Sequence, residues 1–245
     1  MTLSDRIGQI EAAIQGACER SGRTREEIQI VAVTKYVSAE AAAEVIQHGF
    51  IHLGENRWQV AEEKWEAISG HSSSQPDGQA DFHAQPSSNT PVWHFIGSLQ
   101  TNKVKEVIGK FTYIHSLDRI SLAQAIHKRA EQLNLIVPCF IQVNVSGEDS
   151  KHGLSPEELP AFLQELAPYK GVRPIGLMTM APLDSEPEQA RPVFRRLRQL
   201  RDELNERRIV EHRLTELSMG MSGDYVVAVE EGATWLRLGT ALVGK

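Results

Sequence analysis

Short apolar runs alternate with longer amphipathic ones along the whole chain. "IQIVAVTKY" reads as a buried strand, and "SAEAAAEVIQHG" as the helix after it, capped by Ser38 and closed by Gly49. An opening helix, about Leu3 to Arg20, precedes them, with Ile7, Ile10 and Ile14 at helical spacing. The alternation then repeats: "IHLGE" with "NRWQVAEEKWEAI", "VWHFIGSL" with "TNKVKEVIGKF", and "YIHSL" with "DRISLAQAIHKRAEQL". "VPCFIQVNV" precedes "SPEELPAFLQELAPY", and "VRPIGLMTM" precedes a long helix from about Glu186 to Arg208. "LTELSMG" with "DYVVAVEEG" and a final "TWLRLG" bring the strands to eight, every one but the last clearly followed by a helix. Strands that alternate with helices form parallel sheets through right-handed crossovers, and eight such units predict a closed barrel. The predicted fold is α/β: a single TIM-type (β/α)8 barrel over residues 1–245, with an open α/β sheet as the alternative.

One stretch breaks the pattern. "SGHSSSQPDGQADFHAQPSSNTP", residues 69–91, is rich in Ser, Gln, Pro and Gly and nearly lacks aliphatics. It cannot bury enough apolar area to offset its ordering entropy, so a disordered or extended insertion is predicted there. Its histidines, His71 and His83, read as solvated loop residues rather than a metal site.

Composition narrows the function classes. A net charge of -6 over 245 residues disfavours a nucleic-acid binder held by phosphate contacts. The basic run "RPVFRRLRQLRDELNERR" is interleaved with acids at helical spacing, which reads as a solvated helix face. Cys18 and Cys139 lie far apart and match no zinc or redox spacing; Cys139 reads as a small hydrophobe. The charged start lacks the apolar core of a signal peptide, and no apolar run approaches a membrane span. A cytoplasmic protein is expected.

In a closed α/β barrel the functional face is the carboxyl end of the strands. The candidates are therefore Lys35; Glu55 and Asn56; Ser98, Gln100 and Asn102; Ser116; Asn144; Met178 and Thr179; Ser218 to Ser222; and Arg237, Gly239 and Thr240. Glu55 is the lone carboxylate among them, which argues against a two-carboxylate glycosidase and against a magnesium or zinc site. Hydroxyls, amides, glycine turns and two cations suit a bound anion instead. "SMGMSG" after the seventh strand and "RLGTALVG" after the eighth stand where such barrels hold a phosphate on backbone N–H groups. Lys35 ends the first strand. Desolvation disfavours an ammonium among apolar walls, and a neutral amine attacks aldehydes to form a Schiff base. A lysine that snorkels its head to water is the other reading.

"VAVTKYVS", "HLGENRWQ", "WHFIGSLQTNK", "GLMTMAP", "LSMGMSGDY" and "WLRLGTALVG", in that order, resemble the pyridoxal-phosphate homeostasis protein family, whose fold is similar to the barrel domain of alanine racemase. The resemblance spans nearly the whole chain and fails mainly in the 69–91 insertion. It implies pyridoxal 5'-phosphate as cofactor, held as a Schiff base on Lys35. It also implies Ser218, Ser222, Gly239 and Thr240 in the phosphate turns, Asn56 and Met178 lining the pocket, and Arg237 at the pyridine nitrogen. A guanidinium only donates hydrogen bonds, so it would leave that nitrogen unprotonated and the ring a poor electron sink. In alanine racemase a tyrosine from a separate carboxyl-terminal domain supplies the second base, whereas this chain stops about six residues after Gly239.

The expected function is therefore intracellular storage, buffering or delivery of the cofactor, with PLP-dependent apoenzymes as possible recipients, and a monomer. The alternative is a weak PLP-dependent amino-acid racemase or related enzyme with Tyr36 or another rim group as the missing base; strand alternation would aim Tyr36 away from Lys35. His94 and His115 read as hydrogen-bonded barrel residues, and Trp58 and Trp65 as packing in the core or helix ring.

Overall fold

Eight parallel strands pair in sequence order and close on themselves. The structure, a computed structural model, describes residues 1–69, 90–148, 152–182 and 186–244. The strands are β1 (Gln29–Val33), β2 (His52–Glu55), β3 (Val92–Phe95), β4 (Tyr113–Leu117), β5 (Val137–Gln142), β6 (Val172–Met178), β7 (Glu216–Ser218) and β8 (Trp235–Leu238). Gln29 to Ala32 of β1 lie against Trp235 to Leu238 of β8, and that ladder decides for the barrel over the open sheet.

The helices are α1 (Leu3–Ser21), α2 (Ala39–Gln47), α3 (Trp58–Ser69), α4 (Val104–Val107), α5 (Ile120–Gln132), α6 (Leu159–Leu166), α7 (Pro187–Glu206), α8 (Tyr225–Glu230) and α9 (Thr240–Val243). Their ends follow local chemistry. Thr2 and Asp5 form a capping box at the start of α1, and Gly22 ends it in the left-handed region at φ 68°. Ser38 Oγ caps α2 by accepting from Ala41 N at 3.3 Å. The helix predicted from "TNKVKEVIGKF" is instead one 3₁₀ turn, Thr101–Lys103, followed by the short α4. Ile108 leaves helical geometry and Gly109 turns at φ 101°, which stops propagation.

Apolar side chains form two layers. Between strands and helices lie Ile14, Ile114, Ile126, Phe194, Leu197 and their neighbours. Inside the barrel, Val31, Tyr113, Phe140, Ile175, Met178 and Trp235 form a separate cluster. β5 is buried at all six positions, as a parallel strand covered on both faces must be. Gly176 is required by this closeness, since a Cβ there would overlap the Glu216 carbonyl of β7.

The basic run is a solvated face, as its spacing predicts. Ala190, Phe194, Leu197, Leu200 and Leu204 of α7 face inward, while Arg191, Arg195 and Arg198 reach Glu231 and Arg196 reaches Glu203. Trp58 and Trp65 meet edge to face at 6.1 Å in the helix ring. Cys18 and Cys139 are free and buried. The insertion predicted at 69–91, with His71 and His83, lies outside the described residues, apart from Ser69 at the end of α3 and residues 90–91.

Candidate functional site

Lys35 stands just past β1. Thr34 N donates to Gly54 O of β2 at 3.1 Å, and Val37 N donates back to Thr34 O at 3.1 Å, closing a turn around Lys35 and Tyr36 before α2 begins. Lys35 is half-buried, and its ammonium lies 4.9 Å from the centre of the Tyr36 ring. It makes no hydrogen bond or ion pair with the described residues, so its amine stays available to a ligand. The expectation that Tyr36 points away from Lys35 fails: the strand ends at Val33, alternation lapses in the turn, and the exposed Tyr36 ring sits beside the lysine.

Beneath that turn a polar cluster is fully enclosed. Glu55 Oε1 accepts from Thr34 Oγ1 at 2.7 Å and from Lys64 Nζ at 2.7 Å, and Lys64 Nζ also donates to the Thr34 carbonyl at 2.6 Å. Glu55 is thus no free rim acid: a lysine of α3 neutralises it, and the pair grips the peptide next to Lys35. Its Oε2 is buried and has no hydrogen-bond partner among the described residues. The sequence carries no local mark of this pairing, because the two residues sit on different elements.

Arg237 occupies the lumen on β8, with Val31 of β1 as its register partner. It is 5% exposed, donating from Nη1 to Ser218 Oγ at 2.6 Å and from Nη2 to the Thr179 carbonyl at 2.9 Å. Burial brings its pKa down to about 10, opposed by the Asp224 carboxylate, so it remains a cation at neutral pH. Burial pushes the Asp224 carboxyl up, against the Met221 N–H and the Arg237 charge. Asp224 follows closely on the Ser218–Ser222 turn in sequence, and only the fold shows that its carboxylate faces the Arg237 charge.

The turns after β7 and β8 are tied together. Ser222 Oγ accepts from Ala241 N at 3.1 Å, and Arg237 N donates to Gly220 O at 3.0 Å, where Gly220 holds φ 94°. A Cβ on Gly239 would stand 3.7 Å from the Val33 Cβ, so this turn faces the strand that leads to Lys35. Thr240 is exposed, Asn56 is half-buried, and Met178 is buried in the lumen cluster. Ser218 departs from expectation. Its buried hydroxyl is committed to Arg237 and His115, so it serves the arginine rather than the turn. His94 and His115 are hydrogen-bonded barrel residues, as predicted, and sequence reasoning did not foresee that they bond each other.

The donor set is chemically selective. It offers an unpartnered amine at the rim, two cross-linked turns of glycines and hydroxyls, and a donor-only cation within the barrel. No cluster of three metal-ligating side chains occurs among the described residues. Such a set fits a small anionic ligand that bears an aldehyde.

A closed (β/α)8 barrel with a lysine after β1 and a buried arginine on β8 defines a barrel of the alanine racemase type. Residues 10–245 match the family model for the alanine racemase N-terminal domain, and the chain belongs to that family and, within it, to the pyridoxal phosphate homeostasis proteins. The pyridoxal phosphate homeostasis protein of Aquifex aeolicus is 42% identical over all of this chain and 99% of its own. That of Pseudomonas aeruginosa is 36% identical over 99% of this chain and 95% of its own. PipY of Synechococcus elongatus, solved without and with PLP, is 32% identical over 99% of this chain and 100% of its own, with TM-scores of 0.82 and 0.79.

Proposed function

We propose that this protein binds pyridoxal 5'-phosphate covalently through Lys35 and stores, buffers or delivers it. The observation that carries the reading is the pairing of an uncommitted lysine after β1 with an immobilised arginine on the adjoining β8. The PLP-bound structure of PipY supports it.

In this reading Ser222, Gly239 and Thr240 hold the phosphate, Asn56 and Met178 line the pocket, and Ser218 acts through Arg237. Bound pyridoxal phosphate supplies an aldehyde for the lysine and a ring whose electron demand depends on protonation of its nitrogen. Arg237 presents only N–H groups and keeps its charge, so it opposes that protonation and restrains carbanion chemistry. Racemisation needs acid/base groups on both faces of a substrate carbon. Tyr36, the base that reading would use, lies beside Lys35 rather than across from it. The carrier is therefore the favoured function, with PLP-dependent apoenzymes as its recipients, acting as a cytoplasmic monomer. No helix among the described residues is long and apolar enough to cross a membrane.

The test is the visible absorption spectrum with pyridoxal phosphate, wild type beside Lys35→Ala, followed by borohydride reduction and peptide mapping. A band that is absent in the variant and a label on Lys35 are expected. A label on another lysine would overturn the assignment, and turnover of an amino acid at an ordinary enzymatic rate would overturn the carrier.

A further inference from the structure

Three imidazoles cross the barrel lumen as one hydrogen-bonded line. His52 Nδ1 lies 3.0 Å from His94 Nε2, His94 Nδ1 lies 2.9 Å from His115 Nε2, and His115 Nδ1 lies 2.9 Å from Ser218 Oγ. His52 is level with Val92 on β3, and His94 is level with Tyr113 on β4. Each link between rings therefore moves one strand over and two residues toward the carboxyl end. Aromatic side chains hold the rings in place: Tyr113 stacks on His94 at 4.5 Å, Phe140 stacks on His115 at 4.2 Å, and Trp235 meets His52 edge-on at 5.0 Å. The line ends on Arg237 through Ser218, and it starts at a cleft of about 410 Å³ that His52 lines with Gln29 and Ile51.

Counting protons gives the line a direction. Arg237 donates to Ser218 Oγ, which takes one lone pair of that oxygen. The hydroxyl proton of Ser218 must then go elsewhere. Ser218 is fully buried, and among the described residues the remaining group within reach is His115 Nδ1. An unmade hydrogen bond here would leave a desolvated donor unsatisfied, which is costly in a buried site. Ser218 therefore donates to His115, whose single proton sits on Nε2 and goes to His94 Nδ1. His94 in turn carries its proton on Nε2 and donates to His52 Nδ1, and the last N–H, on His52 Nε2, faces out of the line. Burial lowers the pKa of His52 to about 4 and those of His94 and His115 well below their ordinary value, which agrees with three neutral rings.

We propose that His52, His94 and His115 are positioning residues for Arg237, forming a one-way imidazole wire that turns the Ser218 hydroxyl away from the guanidinium and presents it with a lone pair. With the Thr179 carbonyl, that oxygen gives Arg237 two fixed acceptors. The wire deepens the function proposed above and rests on it only for what Arg237 faces in the loaded protein.

The test is nitrogen NMR on the full chain, recorded before and after pyridoxal phosphate is added. In the wild type, all three histidines are expected to be neutral with the proton on Nε2, and the Arg237 Nη signals resolved because the guanidinium cannot rotate. His115→Asn keeps an acceptor where Nδ1 stands and should preserve the resolved Arg237 signals. His115→Leu keeps the volume without the acceptor and should merge them. A proton on any Nδ1, an imidazolium at neutral pH, or the same Arg237 pattern in both variants would overturn the wire. The wild-type spectrum alone decides the proton positions if a variant fails to fold. The spectra before cofactor addition decide the wire even if pyridoxal phosphate proves not to be the ligand.

Discussion

Lys35, just past β1, and Arg237, on the adjoining β8, are basic side chains of one barrel, and their surroundings treat them in opposite ways. Arg237 is enclosed, with Ser218 Oγ and the Thr179 carbonyl fixing its donors and a line of histidines behind them. Lys35 is half-buried, and its ammonium rests against the face of an exposed tyrosine. The difference matches the roles proposed for them: a nucleophilic amine would have to stay uncommitted until its ligand arrives, whereas a group that sets the electronics of a bound ring would have to stay in place. The main chain beside Lys35 is nevertheless held firmly, by the Glu55–Lys64 pair on the Thr34 carbonyl and hydroxyl. The lysine is rigid at its root and free at its tip.

The strongest way to break this contrast is to free the root. Lys64→Met strands Glu55 in the interior as an uncompensated charge, and should cost about 3–5 kcal/mol of stability in urea unfolding. A loss under about 1 kcal/mol would mean that the pair does not hold the turn. Acid should have the next largest effect. The unfolded chain takes up these histidine protons at its ordinary pKa of about 6.5, while folded His52 takes one only near 4. Below pH 6.5 the unfolded state therefore binds more protons. The stability is fully present above that pH and is lost as pH falls toward 4, by about 3 kcal/mol for His52 alone. His52→Gln should show a shallower acid limb in the same titration, and an unchanged limb would count against the depressed imidazole.

Lys35→Met sharpens the contrast from the other side. It should abolish the proposed covalent link, yet lower the stability read from urea unfolding by no more than about 0.5 kcal/mol, because the amine's contact among the described residues is the face of the exposed Tyr36 ring. A larger loss would show that Lys35 has a structural partner. The smallest effect is expected from deleting the insertion within residues 69–91: the ligand band should keep its position and intensity, and its disappearance from a folded deletion variant would make the insertion part of the site.

The elements were largely legible in the chain because hydrophobic period and caps are local. Ser38, Gly22 and Gly49 act within one turn of their own residues, and the alternation of short and long apolar runs gives the order of strands and helices. The misjudged helix after β3 is local too, since Gly109 breaks it from just beyond its last turn. Lys35, Arg237 and the glycine turns stood out because barrel strands all point their carboxyl ends to one face.

The rest was decided by closure. Glu55 and Lys64, nine residues apart on a strand and a helix, meet only when α3 packs back on the sheet. His52, His94 and His115 come from three strands, each an unremarkable polar residue in its own run, and a fourth and fifth strand supply Ser218 and Arg237. The sequence determined that eight strands would carry a lysine, an arginine and two turns of glycines and hydroxyls toward one end of the barrel. Only the tertiary structure decided which polar groups pair inside it, because in a buried lumen each donor must find its acceptor across strands, and no spacing along the chain encodes that distance.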